Sequence, residues 1–104
     1  MERTVITVTE YCRYHQPVEP DFIHALVESG LIRWEEAGAE PSLPYDELHA
    51  LERYARLHYE LDINLEGLEA ISHLLGRMNV MQQELRLLRE QLGLYSNGRN
   101  IEDI

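Results

Sequence analysis

The stretch that decides the fold is VEPDFIHALVESGLIRWEE, residues 18–36. Its apolar side chains recur at helical spacing, which predicts a helix with one buried face formed by Phe22, Ile23, Leu26 and Val27. Proline is favoured at the first position of a helix, so we expect this helix to begin at Pro20. Gly30 stands where a glycine in the left-handed conformation would end it. A short helix that stops abruptly is therefore expected here.

The residues before this helix predict a strand and a first helix. Residues Thr4 to Thr9, TVITVT, alternate hydroxyl and apolar side chains, as half-buried strands do. Thr9 is expected to cap a helix that starts at Glu10 and ends at about Gln16, just before Pro17.

The segment from Leu31 to Leu43 predicts a hairpin, or wing, because its polar middle EEAGAEPS separates two short apolar pieces. We place the tip of this wing near Gly38. Asp46 is expected to cap a third helix that ends at about Asp62. The inner side of the third helix is expected to hold Leu48, Leu51, Tyr54, Ala55, Leu57, His58 and Leu61.

The last predicted helix is the longest and runs from about Leu65 to Leu92, with Asn64 as its cap. Its apolar residues follow a heptad repeat, which is typical of a helix that packs against another helix. The expected partner is the same helix of a second subunit, so the chain is predicted to form a homodimer. The predicted dimerisation residues are Ile71, Leu74, Met78, Met81, Leu85, Leu88 and Leu92, and Tyr95 continues their pattern.

Together these elements predict a mainly α-helical fold. It consists of a winged helix-turn-helix head with a small β-hairpin, followed by a long C-terminal helix. We expect the head to span residues 1–63, the dimerisation helix residues 64–95 and a flexible polar tail residues 96–104.

The charge balance points to a protein partner. The chain has nineteen acidic residues, nine arginines, no lysine and a net charge of −10. Because nucleic-acid affinity rests largely on basic side chains that neutralise phosphates, this surface should repel DNA on average. The same field would attract and steer a basic protein. The negative charge is concentrated in residues 18–36, which contain five carboxylates and one arginine.

The sequence offers no recognisable catalytic or metal-binding spacing. Cys12 is the only cysteine, so neither a disulfide framework nor a thiolate zinc site is possible within one chain. The histidines lack metal-ligand spacing, and the serines lie in no nucleophile motif. We therefore expect a non-enzyme without metal or cofactor. The sequence also has no membrane-length apolar run and no signal-peptide pattern, so we expect a cytoplasmic protein without a membrane partner.

The order of the predicted elements resembles that of the MerR-like winged-helix superfamily. The likeness is carried by TVTEYCRYHQ at residues 7–16, LVESGLI at residues 26–32 and YDELHALERYARLHYELDINLEGLEAI at residues 45–71. Within that superfamily, the chain is most similar to the chaperone-modulator family (CbpM-type). That closer likeness rests on RLHYEL, INLEGLEAI and QELRLLREQL, which begin at Arg56, Ile63 and Gln83.

The resemblance implies a modulator that binds and inhibits the J-domain of a DnaJ-like, DNA-binding co-chaperone (CbpA-type). J-domains present a basic helix to the chaperone that they serve, and an acidic face could occupy that helix. DNA-binding members usually carry basic residues on the second helix and an arginine before the tyrosine that opens the third, whereas here Pro44 precedes Tyr45. The expected partner-binding residues are Glu19, Asp21, Glu28, Trp34, Glu35 and Glu36.

Two other functions stay open from the sequence. The chain could be a dimeric MerR-like transcription regulator that binds DNA through Arg13, Arg53 and Arg56, or an adaptor for some other basic protein. A DNA binder would show affinity for duplex DNA that falls steeply with salt, whereas a modulator would show none.

Overall fold

The computed structural model describes residues 5–36 and 38–96, with side chains as far as Gly93. Its elements are β1 (Val5–Thr7), α1 (Val8–Tyr14), α2 (Pro20–Glu28), β2 (Ser42–Pro44), a 3₁₀ turn (Tyr45–Glu47), α3 (Leu48–Leu61) and α4 (Leu65–Ser96). The predicted fold class is confirmed: a mainly helical chain with a small antiparallel sheet and a long C-terminal helix. Thr4, the side chain of Tyr95 and the tail from residue 97 lie outside this description.

The two strands pair across the wing segment. β1 and β2 are antiparallel, with Ile6 opposite Leu43. The two arms of the predicted wing also meet, at a bridge in which Glu35 and Ser42 exchange backbone hydrogen bonds of 2.7 and 2.8 Å. The main partner of β2 is therefore β1 and not the opposite arm of the wing. This pairing follows from burial, since Leu43 is fully enclosed.

The first helix begins two residues earlier than predicted. α1 starts at Val8, and its capping side chain is Thr7 and not Thr9, because the Thr7 hydroxyl accepts a 3.1 Å hydrogen bond from the Glu10 amide. The reason lies across the sheet: Thr7 is the last extended residue of β1, and the Val8 amide donates to the Pro41 carbonyl at 3.1 Å.

The same helix ends at Tyr14, earlier than the predicted Gln16. His15 Nδ1 lies 3.0 Å from the Tyr11 carbonyl oxygen, which is the oxygen that the His15 amide would bond in a longer helix. The ring of His15 also stacks on the ring of Tyr11, with centroids 4.0 Å apart. A cis peptide bond then joins Gln16 to Pro17.

Helix α2 agrees with its prediction at both ends. Pro20 occupies the first turn, and Gly30 adopts the left-handed conformation with φ 79°. The amides of Gly30 and Leu31 donate to the carbonyls of Val27 and Leu26, at 3.0 and 2.9 Å. This pair of bonds is the Schellman arrangement, which satisfies the last carbonyls of a helix and favours glycine in the left-handed position.

Helix α3 differs from its prediction in two respects. Asp46 does not cap it, because a 3₁₀ turn precedes the helix and Glu47 stands at the N-cap position without a side-chain cap bond. Leu61 does not face inward: its side chain is 62% exposed. The predicted end is confirmed, because Asp62 adopts the left-handed conformation with φ 60°.

Helix α4 begins with the predicted cap. Asn64 Oδ1 accepts a 2.9 Å hydrogen bond from the Gly67 amide. A Cβ atom at Gly67 would lie 2.6 Å from Ile63 Cγ2, so a larger residue there would require the Ile63 side chain to shift. The helix ends at Ser96, beyond the expected Leu92. No helix in the described ranges combines the length and apolar content that a membrane span requires.

The chain divides into two compact units, one up to Ala70 and one from Ile71 onward. The first unit contains the hydrophobic core, to which α1, α2, the wing, β2, α3 and the start of α4 contribute. Its buried hydrophobic residues are Val8, Tyr11, Val18, Ile23, Leu26, Ile32, Leu43, Leu51, Tyr54, Ala55 and Leu68. In the second unit the structure describes one element, the remainder of α4.

Replacement of a leucine by alanine should lower the free energy of unfolding much more at a buried position than at an exposed one. Leu26→Ala removes a fully enclosed side chain, so we expect the free energy of unfolding to fall by about 2–5 kcal/mol. Leu61→Ala, the matched control at an exposed position, should change it by less than about 0.5 kcal/mol. Urea unfolding at one fixed protein concentration measures both. A large loss for Leu61→Ala would contradict the exposed position of that side chain.

The buried phenol of Tyr11 predicts a loss of stability at alkaline pH. Burial, and next the nearby Glu52 carboxylate, raise the pKa of Tyr11 from 10.0 to about 12. The unfolded chain therefore releases this proton first, and the stabilisation, complete below pH 10, is lost as pH rises toward 12. At pH 11 the loss should be about 1.4 kcal/mol.

Urea unfolding at pH 8 and pH 11 tests this linkage. Between pH 8 and pH 11, the free energy of unfolding of Tyr11→Phe should fall by about 1.4 kcal/mol less than that of the wild-type chain. Tyr45→Phe removes an exposed phenol and serves as the control, so it should follow the wild type. If both variants lose as much stability as the wild type, the buried phenol is not the source of the alkaline effect.

Candidate partner-binding surface

The exposed face of α2 is acidic. Asp21, His24 and Glu28 are exposed, and their spacing of three and four residues places them along one side of the helix. Ile23 and Leu26 lie on the opposite side and are fully buried. The apolar pattern therefore fixes which side chains of α2 face the solvent.

His24 connects this face to the wing. Its Nε2 atom lies 3.3 Å from Glu28 Oε2, and its ring centroid lies 5.6 Å from that of Trp34. Trp34 Nε1 in turn donates a 3.0 Å hydrogen bond to Glu36 Oε2. We call Asp21, His24, Glu28, Trp34 and Glu36 the acidic surface.

Arg33 is the only arginine in residues 18–36, and its charge is compensated. Its Nη2 atom lies 2.7 Å from Glu47 Oε2 and 3.8 Å from Asp46 Oδ1. The Arg33 amide also donates to the other oxygen of Glu47 at 3.1 Å. The Glu47 carboxylate thus attaches the wing to the start of α3 and offsets the positive charge of Arg33.

Trp34 is partly buried and packs against the core. Its N–H group is occupied by Glu36, so the indole offers a partner the apolar area that remains exposed. Trp34 can therefore make an apolar contact with a partner while charged residues surround it. Aromatic side chains near the centre of an interface often contribute most to binding.

The remaining predicted site residues lie at the borders of this surface. Glu19 precedes α2, and its backbone amide donates to the Tyr59 hydroxyl at 3.2 Å. Glu35 is exposed, while its backbone is fixed by the bridge to Ser42. A further wing acid, Glu40, accepts a 2.6 Å hydrogen bond from the Thr9 hydroxyl and so has a structural contact.

His24 is the residue of this surface that the sequence prediction did not include. The spacing of histidines can indicate metal ligands, but it gives no information about contacts with carboxylates or aromatic rings. Its position four residues before Glu28 does indicate that the two side chains can meet along one side of the helix. The contact with Trp34 depends on the wing and has no local sequence signal.

The predicted dimerisation residues give the second unit an apolar stripe. Leu74, Met78, Met81, Leu85, Leu88 and Leu92 are between 47% and 56% exposed, and Ile71 is partly buried. A helix with this stripe carries apolar area that water disfavours. The pattern is typical of a helix packed against another chain.

The arginines of the DNA-binding alternative belong to helices other than α2. Arg13 belongs to α1, while Arg53 and Arg56 belong to α3. Arg13 and Arg56 are exposed and Arg53 is partly buried. The exposed face of α2 itself, which carries Asp21 and Glu28, offers carboxylates where a phosphate contact would require positive charge.

The Cys12 thiol is partly buried in the first unit. Burial, and next the Glu19 carboxylate, raise the pKa of the Cys12 thiol, so the thiol stays protonated and is a poor nucleophile. Across residues 5–36 and 38–96, no three histidine, cysteine or acidic side chains are grouped as metal ligands.

Comparison with known proteins identifies the family. A family model described as MerR HTH family regulatory protein matches residues 6–90, which include most of the sheet, the wing, α1, α2, α3 and most of α4. No curated protein and no solved structure matches the chain. Because the family match covers well over half of the sequence, the chain belongs to the MerR HTH family of regulatory proteins.

Proposed function

We propose that this chain is a non-enzymatic chaperone modulator that binds the J-domain of a DnaJ-like co-chaperone and inhibits it. The acidic surface is the site that we assign to this contact, with Glu19 and Glu35 at its borders. The basic helix of the J-domain is the partner element. Occupation of that helix would prevent the J-domain from engaging its own chaperone.

The observation that carries the proposal is the continuity of the acidic surface. Glu28, His24, Trp34 and Glu36 form an unbroken series of contacts from α2 to the wing. The arginine of the wing, Arg33, is bound by Glu47. A basic protein helix complements both the sign of this charge and the apolar area of the indole.

The same charge argues against a phosphate backbone as the ligand. Carboxylates repel phosphates, and each absent basic contact removes counterion-release energy. In a protein–protein contact, by comparison, complementary charge mainly accelerates association and selects the partner. Binding is therefore expected to weaken as salt rises, through slower association.

We further propose that two copies associate through α4. The apolar stripe from Ile71 to Leu92 repeats with heptad spacing over about three heptads. A single amphipathic helix in water is marginally stable, because most of its stability in proteins comes from packing of the apolar face. A second copy would supply that packing and present two acidic surfaces in one assembly.

Charge reversal at the acidic surface should abolish most of the J-domain affinity. Asp21→Lys/Glu28→Lys replaces two exposed carboxylates on α2, so attraction becomes repulsion while the core is untouched. We expect the Kd, measured by calorimetry at low salt, to rise at least about tenfold. The double variant should also lose its ability to stop the J-domain from stimulating the chaperone ATPase.

The control uses acids elsewhere in the same unit. Glu66→Lys/Glu69→Lys makes the same charge change on exposed residues of α4 and should bind nearly as well as the wild type. Equal losses in both variants would show that net charge alone drives binding. No heat from the wild type at low or moderate salt would reject the modulator function. Affinity for duplex DNA that falls steeply with salt would establish the DNA-binding alternative instead.

A charged residue in the apolar stripe should dissociate the dimer. Leu85→Glu places a carboxylate in the centre of the proposed seam, where a buried unpaired charge is costly. Sedimentation equilibrium should show a dimer for the wild type and a monomer for this variant. Gln83→Glu, an exposed position outside the stripe, is the control and should stay dimeric. A wild-type chain that sediments as a monomer at every concentration would contradict the seam.

A further inference from the structure

The first unit contains a groove that the acidic surface does not include. It lies between the end of α1, the turn at Pro17 and one face of α3, and its volume is about 430 Å³. Three tyrosines line it: Tyr11, Tyr14 and Tyr59. We call this cleft the tyrosine groove.

The three tyrosines have different roles in the groove. Tyr11 is 1% exposed and forms part of the floor, with one face covered by the ring of His15. Tyr14 is 68% exposed, so its ring is available to an occupant. Tyr59 is partly buried, and its hydroxyl accepts a hydrogen bond from the Glu19 amide. The groove therefore offers aromatic surface and borders the start of α2.

The charged rim of the groove is dominated by carboxylates. Glu52 and Glu60 lie one turn before and one turn after Arg56 on the groove-facing side of α3. Two carboxylates thus flank one guanidinium, and Glu19 follows directly after the lining residue Val18. The balance is negative, so a cation complements the groove and an anion does not.

Burial is the main cause of the raised pKa values of two phenols in the groove, and nearby carboxylates add to it. The Glu52 carboxylate adds to burial in raising the pKa of Tyr11 to about 12. The pKa of Tyr59 is also raised, first by burial; the hydrogen bond from the Glu19 backbone lowers it, and the Glu19 carboxylate raises it by a smaller amount. The carboxylate contributions are smaller than that of burial, and their sign is the one expected beside a negatively charged rim.

We propose that the tyrosine groove binds an arginine side chain of the basic partner. The inference rests on the proposed function, since the J-domain helix would supply that arginine beside the acidic surface. The aliphatic stem would lie against the apolar wall formed by Pro17 and Ala55. The guanidinium would stack on the exposed ring of Tyr14 and pair with Glu52 or Glu60.

Arginine suits this groove better than lysine does. A guanidinium is planar and stacks on aromatic rings, and its fork of donors matches a carboxylate. An ammonium group is more strongly hydrated and makes a point contact. An uncharged side chain of similar length would meet the apolar wall but would leave the rim carboxylates unpaired.

The first test uses the groove without the partner. We would titrate the full ¹⁵N-labelled chain with acetyl-arginine-amide, acetyl-lysine-amide and acetyl-norleucine-amide. Saturable shifts at Tyr14, Ala55 and Tyr59 are expected with the arginine probe, weaker shifts with lysine and none with norleucine. Glu52→Gln/Glu60→Gln should abolish the arginine response, whereas the control Glu66→Gln/Glu69→Gln should keep it. The absence of a saturable arginine response, or an equal response to norleucine, would overturn the assignment.

The second test measures J-domain binding by calorimetry with the same variants. Tyr14→Ala and Glu52→Gln/Glu60→Gln should each raise the Kd about fivefold, and thermal unfolding would confirm that these exposed replacements leave the fold intact. If charge reversal on α2 weakens binding while both groove variants bind like the wild type, the groove assignment fails and the proposed function stands. If the wild type binds no J-domain, the proposed function fails and the probe titration alone decides the groove.

Discussion

The burial of Ile23 and Leu26 is the interaction on which the geometry of the acidic surface depends. Both side chains are fully enclosed, so the short helix α2 has only one orientation about its own axis. That orientation turns Asp21, His24 and Glu28 outward together, because helical periodicity couples the buried side to the exposed side. The contact of His24 with Trp34 then joins α2 to the wing. A core of aliphatic residues thus determines the geometry of a charged site.

Features with a local cause could be predicted from the sequence, and features with a distant cause could not. The Gly30 turn and the Asn64 cap follow from the backbone preferences of those residues, and both were predicted. Thr7 and not Thr9 caps α1 because the pairing of β1 with β2 ends at Thr7. That pairing joins residues more than thirty positions apart in the sequence. The site was predicted as a set of acids, but its continuity through His24 requires the folded wing.

The acidic residues of the wing region have two different roles that a sequence does not separate. Glu47 bonds to the backbone and the guanidinium of Arg33, and Glu40 accepts hydrogen bonds from Thr9. These two carboxylates connect parts of the head. Glu36 bonds to an indole within its own arm of the wing and keeps an exposed position. The net charge of the chain therefore overstates the charge that is free to meet a partner, and the internal contacts identify which acids remain.

The spacing of these exposed groups constrains the partner more than the total charge does. Asp21 and Glu28 are separated by two helical turns, about 10 Å, and the Tyr59 hydroxyl holds the start of α2 beside the tyrosine groove. A net charge of −10 attracts any basic protein and sets the rate of encounter. The two proposals together require a helix with basic residues at a matching interval for the acidic surface and an arginine for the groove. Partners that lack this spacing would leave charges unpaired, which is how a strongly acidic protein can still be selective.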